Sequence, residues 1–124
     1  MKSSEKKAKA KKKVEMSDEV LEMIADRFRL LSDPMRLRIL HTLGDEEMSV
    51  TELVKATGAG QANISKHLSV LLNAGVVSRR KEGLNSFYRV SDETIFELCD
   101  AVCSHLVKQL EMRRSVLEKL KPLK

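Results

Sequence analysis

The sequence predicts a mainly α-helical domain with one β-hairpin, arranged as four helices, the hairpin and a long last helix. Three observations predict this class. Apolar residues recur at the spacing of helical turns along most of the chain. Capping residues, proline and glycine divide that pattern into separate helices. Before the last helix, two short runs rich in β-branched and aromatic residues flank a glycine turn, which is typical of a hairpin.

The first two predicted helices are separated by the pair Asp33-Pro34. Ser17 is placed to cap the first helix, whose first turn is acidic and whose apolar positions repeat at helical spacing. Asp33 can cap the second helix, and Pro34 fits its first position because the amide hydrogen that proline lacks has no helical partner there. We expect this second helix to end at Gly44.

The next two predicted helices form a pair. Ser49 and Glu52 have the spacing of a capping box, which opens a short third helix that ends just before the glycine-rich turn at residues 58–60. A fourth helix follows and ends near Gly75. Two helices joined by a short turn containing glycine match the helix-turn-helix motif, whose second helix enters the major groove of DNA.

The hairpin and the last helix complete the pattern. Residues 76–80 and 86–90 are the predicted strands, joined through a turn at Gly83. Asp92 then opens the last helix. Its apolar residues at helical spacing are Ile95, Leu98, Cys99, Val102, Cys103, Leu106, Leu110, Leu117 and Leu120.

The length of 124 residues suits one domain, which we place at 17–121, preceded by a disordered basic tail at 1–16. No apolar run approaches the roughly 20 residues of a membrane span, and no apolar stretch follows the N-terminal lysines as it would in a signal peptide. We therefore expect a cytoplasmic protein without a membrane partner. In that reducing compartment the two cysteines are expected to be thiols rather than a structural bridge.

The net charge of +5 is unevenly distributed. The tail holds seven lysines against two glutamates, residues 17–54 hold four basic against nine acidic side chains, and residues 55–90 hold six basic side chains against one glutamate. A phosphate-binding surface is therefore confined to the tail and the 55–90 segment. The tail lysines either add nonspecific attraction to phosphate or only solubilise the chain.

Several stretches, in this order and spacing, resemble the ArsR/SmtB family of winged helix-turn-helix repressors. They include residues 31–40, which read LSDPMRLRIL, and residues 61–68, which read QANISKHL, and the resemblance spans roughly 19–110. It implies a homodimer assembled through the first and last helices. It also implies a duplex-DNA operator as partner, with repression relieved by a metal ion or another thiol-reactive inducer.

The fourth helix has the amphipathic division that a DNA-reading helix needs. We expect its apolar positions to face inward and leave free for the major groove Gln61, Asn63, Ser65, Lys66 and His67. Gln and Asn side chains can each make two hydrogen bonds to adenine, and Ser can reach bases or phosphate. The alternative is that these residues form an ordinary solvated face.

The hairpin is interpreted as a wing that contacts phosphates or the minor groove through Arg79, Arg80 and Lys81. Because side chains alternate across a strand, Arg79 and Lys81 share one face, and Arg80 can instead support the fold. The alternative is a solvated edge strand whose charges prevent pairing with other chains.

Two inducer sites of the family are not intact here. The positions that match its arsenic-type thiols are Ser49, Thr51 and Val54, none of which is a thiol. The positions that match its zinc-type site across the dimer are Asp92, Thr94, His105 and Lys108. One aspartate and one histidine are the remaining ligands there, and the lysine would repel a cation.

Cys99 and Cys103 lie one helical turn apart, so both thiols share a face of the last helix. That face also carries the apolar stripe expected at the dimer interface. The cysteines either sense a soft metal, metalloid, sulfur species or oxidant, with His105 as a weak additional ligand, or only pack as small buried residues. No other cofactor is required.

The predicted function is a sequence-specific transcriptional repressor, not an enzyme, and no small-molecule substrate is expected. The sequence has no glycine-rich phosphate loop, no Cys-x-x-Cys motif and no obvious pair of carboxylates in a pocket, and proximity of Ser65 to His67 does not make a triad. One alternative is a regulator whose cysteines are structural and whose inducer is different or absent. Another is a winged-helix module that binds proteins, which would need an exposed apolar patch.

Overall fold

The computed structural model describes residues 15–120. The order of its elements confirms the predicted class, mainly helical with a hairpin before the last helix. The elements are α1 (Asp18–Leu30), α2 (Pro34–Leu43), β1 (Met48–Ser49), α3 (Val50–Thr57), α4 (Gln61–Asn73), β2 (Val77–Glu82), β3 (Asn85–Val90) and α5 (Thr94–Lys119). The predicted tail at 1–16 lies outside the described residues except for its last two positions, as does residue 121 at the end of the predicted domain.

Side-chain caps fix where the first three helices begin. The hydroxyl of Ser17 accepts a hydrogen bond from the amide of Val20 in α1. The carboxylate of Asp33 accepts hydrogen bonds from two amides of α2. Ser49 and Glu52 make both hydrogen bonds of a capping box at α3. These caps confirm the predicted helix starts, because each satisfies backbone donors that have no partner within the helix.

The sheet has one strand more than the sequence predicts. β1 is two residues long and pairs antiparallel with β3, which also pairs with β2, so the strand order is β1-β3-β2. A strand this short has no alternation that a sequence could reveal. The last helix also begins two residues later than predicted, at Thr94. Asp92 lies before the helix, and its carboxylate accepts a hydrogen bond from the Thr94 amide.

The hydrophobic core lies between α2, α3, α4 and the sheet. Its buried side chains are aliphatic, namely Leu30, Ile39, Leu40, Leu43, Leu53, Ile64, Leu68, Leu71, Val76, Val77, Val90 and Ile95. Burial of each such side chain contributes about 1.5–3 kcal/mol relative to exposure. Because α4 and both long strands of the sheet contribute to this one core, the core holds the fourth helix and the hairpin in a fixed relation.

The helices α1 and α5 flank this core. Leu30 is the buried residue of α1 and Ile95 that of α5. An ion pair at 3.0 Å joins Arg27 of α1 to Asp92, which precedes α5. α5 has 26 residues, a length of about 39 Å, and every residue from 100 to 120 is exposed. Over residues 15–120, no helix combines the length and the apolar character needed to cross a membrane.

Candidate nucleic-acid interface

The turn between α3 and α4 fixes the position of the candidate reading helix. Gly58 ends α3 with a φ of 78°, a left-handed conformation that glycine adopts without the steric cost of a Cβ atom. Its amide donates a hydrogen bond to the carbonyl of Val54 at 2.8 Å. α4 begins three residues later at Gln61, which confirms the predicted helix-turn-helix.

One face of α4 is buried and the opposite face is open. The inward-facing side chains are those that the sequence predicts, Ile64, Leu68 and Leu71. Gln61, Asn63 and Lys66 are exposed, and Ser65 is half-buried. The first two turns of α4 therefore present two amide side chains, which can donate to and accept from a base edge at once, and one cation that can reach phosphate.

His67 does not belong to this open face. It is only 5% exposed, and its Nδ1 lies 3.3 Å from Nη1 of Arg36 while its Nε2 lies 3.8 Å from the carboxylate of Asp33. The prediction that His67 is free for the major groove is therefore wrong. Its position, three residues after Ile64 and four before Leu71, places it on the buried side of the helix. That spacing was the signal that sequence reasoning passed over.

The inner face of the wing, on the side of the core, carries two free cations. Arg79 and Lys81 alternate with the outward residues of β2 and share the face of buried Val77, as the strand pattern predicts. Both are exposed, and within residues 15–120 neither makes an ion pair. Gly83, with a φ of 62°, and the fully exposed Leu84 form the two-residue tip. This face can contact phosphates without first breaking a salt bridge.

On the outer face of the wing, Arg80 is neutralised by two carboxylates of the same chain. Arg80 donates two hydrogen bonds of 2.9 Å to the carboxylate of Glu47 and one of 3.0 Å to Glu82. Its guanidinium also lies 5.0 Å from the centre of the Phe87 ring. The hydrogen bonds from Arg80 hold the pKa of Glu47 below its usual value, although partial desolvation opposes them. The same bonds raise the pKa of Arg80.

Arg80 thus holds the wing against the segment before β1, the supporting role that strand alternation allows, and is not a free cation like its two neighbours. Arg89 on β3 is exposed on the same outer face and is a cation that the site prediction omitted. The basic composition of the 55–90 segment was the signal that could have included it.

The two cysteines occupy different environments on α5. Cys99 is half-buried and packs against the core, whereas Cys103 is exposed, and both are free thiols. Desolvation, and secondly the charge of Asp100, raise the pKa of the Cys99 thiol. His105 lies two residues beyond Cys103, about 200° around the helix, so it faces away from both thiols. Residues 15–120 hold no group of three metal-ligating side chains, so these three do not form a site within one chain.

Asp92, one remaining ligand position of the family's zinc-type site, is engaged within the chain. Its carboxylate accepts hydrogen bonds from the Thr94 side chain and amide and from Arg27. The Thr94 hydroxyl and amide and the Arg27 charge lower the pKa of Asp92 more than desolvation raises it. A metal ion at this position would have to compete with Arg27 for the carboxylate.

Comparison with known proteins gives a consistent set of relatives. The model of the arsR family of bacterial regulatory proteins matches residues 33–79. The chain is 36% identical over 88 residues to the HTH-type transcriptional regulator KmtR of Mycobacterium tuberculosis, covering 70% of this chain and 68% of that protein. It is 31% identical over 91 residues to the transcriptional repressor SmtB homolog of Synechocystis, covering 73% and 69%.

A third relative, from Streptomyces lividans, is named a probable mercury resistance operon repressor. It is 38% identical over 71 residues, or 57% of each chain. All three relatives are named as transcriptional regulators or repressors, which confirms that the chain is not an enzyme.

Solved structures share the fold. The crystal structure of M. tuberculosis Rv0081 has a TM-score of 0.69 and 34% identity, covering 78% of this chain and 98% of that one. The solution structure of a homodimeric winged helix-turn-helix DNA-binding domain from Mycobacterium bovis has a TM-score of 0.66 and 29% identity, covering 81% and 95%. The two-helix turn and the β2–β3 hairpin described above are thus a helix-turn-helix and its wing.

Proposed function

The chain belongs to the ArsR/SmtB family of winged helix-turn-helix transcriptional repressors, and from this premise we propose that it binds a duplex-DNA operator as a homodimer. The observation that carries the proposal is the open face of α4 beside the free cations of the wing. Gln61 and Asn63 are exposed in the first turn of α4, the part of a reading helix that reaches base edges. Arg79 and Lys81 are exposed on the wing.

We assign the side chains of this surface to two tasks. Gln61, Asn63 and Ser65 read bases, because amides and hydroxyls match the donor and acceptor pattern of the major groove. Lys66, Arg79 and Lys81 contact phosphates, which fixes the register of the protein on the duplex without carrying sequence information.

The dimer is proposed from the uncovered apolar side chains of α1 and α5. Phe28 on α1 is 57% exposed, and Val102 and Leu106 on α5 are 57% and 50% exposed. Exposed apolar side chains that recur along a helix in this way are typical of an interface with another protein. A second copy would cover it, and the structural relative from M. bovis is described as homodimeric. Two copies related by a twofold axis present two α4 helices to half-sites about 34 Å apart.

The first experiment is selection of an operator from a random duplex library, followed by fluorescence anisotropy with the selected duplex and a scrambled one. We expect a twofold-symmetric sequence bound about a thousandfold or more tightly than the scrambled duplex at physiological salt. Equal weak binding to both duplexes would leave the protein-interaction alternative. A repressor acts on chromosomal DNA, so we expect the protein in the cytoplasm.

We further propose that Cys99 and Cys103 receive the signal that releases DNA. The two thiols lie one turn apart beside the stripe that includes Val102 and Leu106. A soft ion bound there replaces the thiol protons, which go to solvent, and takes sulfur ligands in a fixed geometry. One chain supplies two thiols, and the twofold-related copy can supply two more.

Binding at the interface of the two copies would alter the spacing of their reading helices. The free energy of inducer binding then appears as lost DNA affinity, a coupling of about 1–3 kcal/mol. The relative named for mercury resistance supports a thiophilic ion as the inducer.

To test the thiol proposal, arsenite, cadmium, mercury(II), polysulfide and peroxide are each added to the wild-type complex with the selected operator. At least one should lower the affinity about 5- to 150-fold, whereas Cys99→Ser/Cys103→Ser protein should bind the operator normally and ignore that agent. His105→Ala is the matched control and should respond like the wild type, because His105 faces away from the thiols. A double variant that still responds would return the cysteines to a packing role.

A further inference from the structure

Arg36 joins the helix α1 to the reading helix α4. Its Nε donates a hydrogen bond to the carbonyl of Leu30, the last residue of α1, at 2.7 Å, and its Nη2 donates to the carbonyl of Arg29 at 3.3 Å. Its Nη1 lies 3.3 Å from Nδ1 of His67 on α4. Among the hydrogen bonds of residues 15–120, no other side chain contacts both helices.

The chemistry of this contact assigns Arg36 as the donor and His67 as the acceptor. A guanidinium group has donors and no acceptor, so Nδ1 of His67 must accept the hydrogen bond from Arg36. The other ring nitrogen, Nε2, lies 3.8 Å from the carboxylate of Asp33. His67 is 5% exposed, and a buried polar ring is tolerated in a core when its nitrogen atoms have such partners.

Asp33 completes the cluster from the first turn of α2. Its carboxylate accepts hydrogen bonds from the amides of Met35 and Arg36 at 2.8 and 3.3 Å. Desolvation raises the pKa of Asp33, but the hydrogen bonds from these amides and the positive charge nearby, which includes that of Arg36, outweigh it, so the pKa lies below its usual value. The carboxylate therefore remains charged at neutral pH, caps α2 through these amides and lies 3.8 Å from Nε2 of His67.

The other attachments of α1 do not lead to α4 by hydrogen bonds. Leu30 packs into the core through apolar contacts, which have no directional preference. The ion pair of Arg27 with Asp92 leads to the start of α5 instead. Among the described residues, the hydrogen bonds of Arg36 with its three partners are therefore the directional contacts between α1 and α4.

We propose that Asp33, Arg36 and His67 set the orientation of α4 relative to α1, and that His67 is a positioning residue for operator binding. The inference rests on the proposed function, in which α1 belongs to the dimer interface and α4 reads DNA. In such a dimer the cluster determines how far apart and at what angle the two reading helices lie. The relation of α4 to the wing within one copy is set by the core and does not depend on the cluster.

A comparison of binding to one half-site with binding to two therefore distinguishes a positioning role of His67 from a merely structural one. Binding of one copy to a single half-site depends on α4 and the wing, whereas simultaneous docking on two half-sites depends also on the spacing of the two helices. The probes are duplexes derived from the wild-type operator, namely one with a single half-site and a series in which the half-site spacing is changed by one base pair in either direction.

The variant His67→Leu keeps the buried volume apolar and removes the acceptor for Arg36. We expect its affinity for the two-half-site operator to fall about tenfold, its preference for the native spacing to flatten, and its single half-site affinity to stay within about twofold of wild type. His67→Asn supplies a side-chain oxygen near the position of Nδ1 and should recover most of the spacing preference. Arg36→Lys, which lacks the fork that reaches three partners, should behave like His67→Leu and serves if the latter does not fold.

Val76→Ala is the matched control, since Val76 is buried in the same core but makes no contact to the cluster by hydrogen bonds. It should lower thermal stability and leave the spacing preference of the wild type. Equal loss of half-site and full-site affinity in His67→Leu, or an unchanged spacing profile, would overturn the inference. Failure of the wild type to prefer any operator would instead overturn the proposed function.

Discussion

The apolar residues of α2 to β3, which we call the body, are mostly buried. Those of the two flanking helices, α1 and α5, are mostly exposed. Nine of the ten largest fully buried side chains belong to the body, and the tenth is Ile95 at the start of α5. By contrast, α1 and α5 leave most of their large apolar side chains exposed, namely Leu21, Met23, Ile24 and Phe28 on α1 and Leu98, Val102, Leu106, Val107, Leu110, Met112, Val116 and Leu117 on α5.

The difference teaches that apolar periodicity predicts a helix and its face but not the partner of that face. The stripe on α4 and the stripe on α5 follow the same helical spacing in the sequence. The first is covered by the chain itself, and the second is exposed in the single chain, where the proposed dimer would cover it. The body is therefore expected to depend on its own packing, and the flanks on association.

The largest effect is expected when a charge is introduced into the exposed apolar stripe of α5. Leu106→Arg would place an unpaired charge in the proposed dimer interface and should weaken dimerisation by about 3–5 kcal/mol, with loss of operator binding. Sedimentation equilibrium at micromolar concentration measures the change. Leu84→Arg is the matched control, because Leu84 is fully exposed at the wing tip, away from the flanking helices. A Leu106→Arg protein that remains dimeric would contradict the assignment of α5 to the interface.

Truncation of leucines sharpens the same contrast. Leu71→Ala removes a side chain that is 0% exposed in the body and should lower the free energy of unfolding by about 2–5 kcal/mol. Leu106→Ala should destabilise only through the dimer, so its melting temperature should approach that of the wild type as both proteins are diluted. Denaturation curves recorded at two protein concentrations distinguish the two cases. If the stabilities of Leu71→Ala and Leu106→Ala depended on protein concentration in the same way, the difference between body and flanking helices would be contradicted.

Within the body, substitutions in the reading helix and in the wing are expected to change DNA binding in different ways. Gln61→Ala should weaken binding to the selected operator by about 1–3 kcal/mol and change binding to scrambled DNA little, because it removes a base contact. Lys81→Ala should weaken both alike and lower the slope of log K against log salt by about one, because it removes a phosphate contact. Anisotropy titrations at several salt concentrations make the comparison. Identical behaviour of the two variants would show that the division into readers and anchors is wrong.

The smallest effect concerns acid. The pKa of Glu47 is lowered in the folded protein by the hydrogen bonds from Arg80, so the pair stabilises the fold above the ordinary pKa of 4.5, and this contribution is lost as pH falls through the lower folded value. Glu47→Gln should therefore show a shallower fall of melting temperature below about pH 4.5 than the wild type. The same measurement on Asp92→Asn, which removes the carboxylate that pairs with Arg27 between the flanking helices, is the comparison. An unchanged acid dependence in Glu47→Gln would mean that the Arg80 pair is too exposed to matter.

Much of the reading surface was predictable because it depends on local patterns. The capping box at Ser49, the turn at Gly58 and the amphipathic spacing of α4 lie within a few residues of the features that they determine. Gln61 and Asn63 follow from that spacing. His67 did not, because its polar character suggested an open face while its partners Arg36 and Asp33 lie 31 and 34 residues earlier in the chain.

The sequence by itself determined the starts of the first four helices, the hairpin and the alternation that separates Arg79 and Lys81 from Arg80. These depend on hydrogen bonds and steric preferences between near neighbours, which composition and spacing encode directly. The tertiary structure alone decided the pairing of β1 with β3, the bond of Arg80 to Glu47 and the burial of His67 against Arg36. Each of these joins segments that are distant in the chain, so it depends on how the packed helices bring their side chains together.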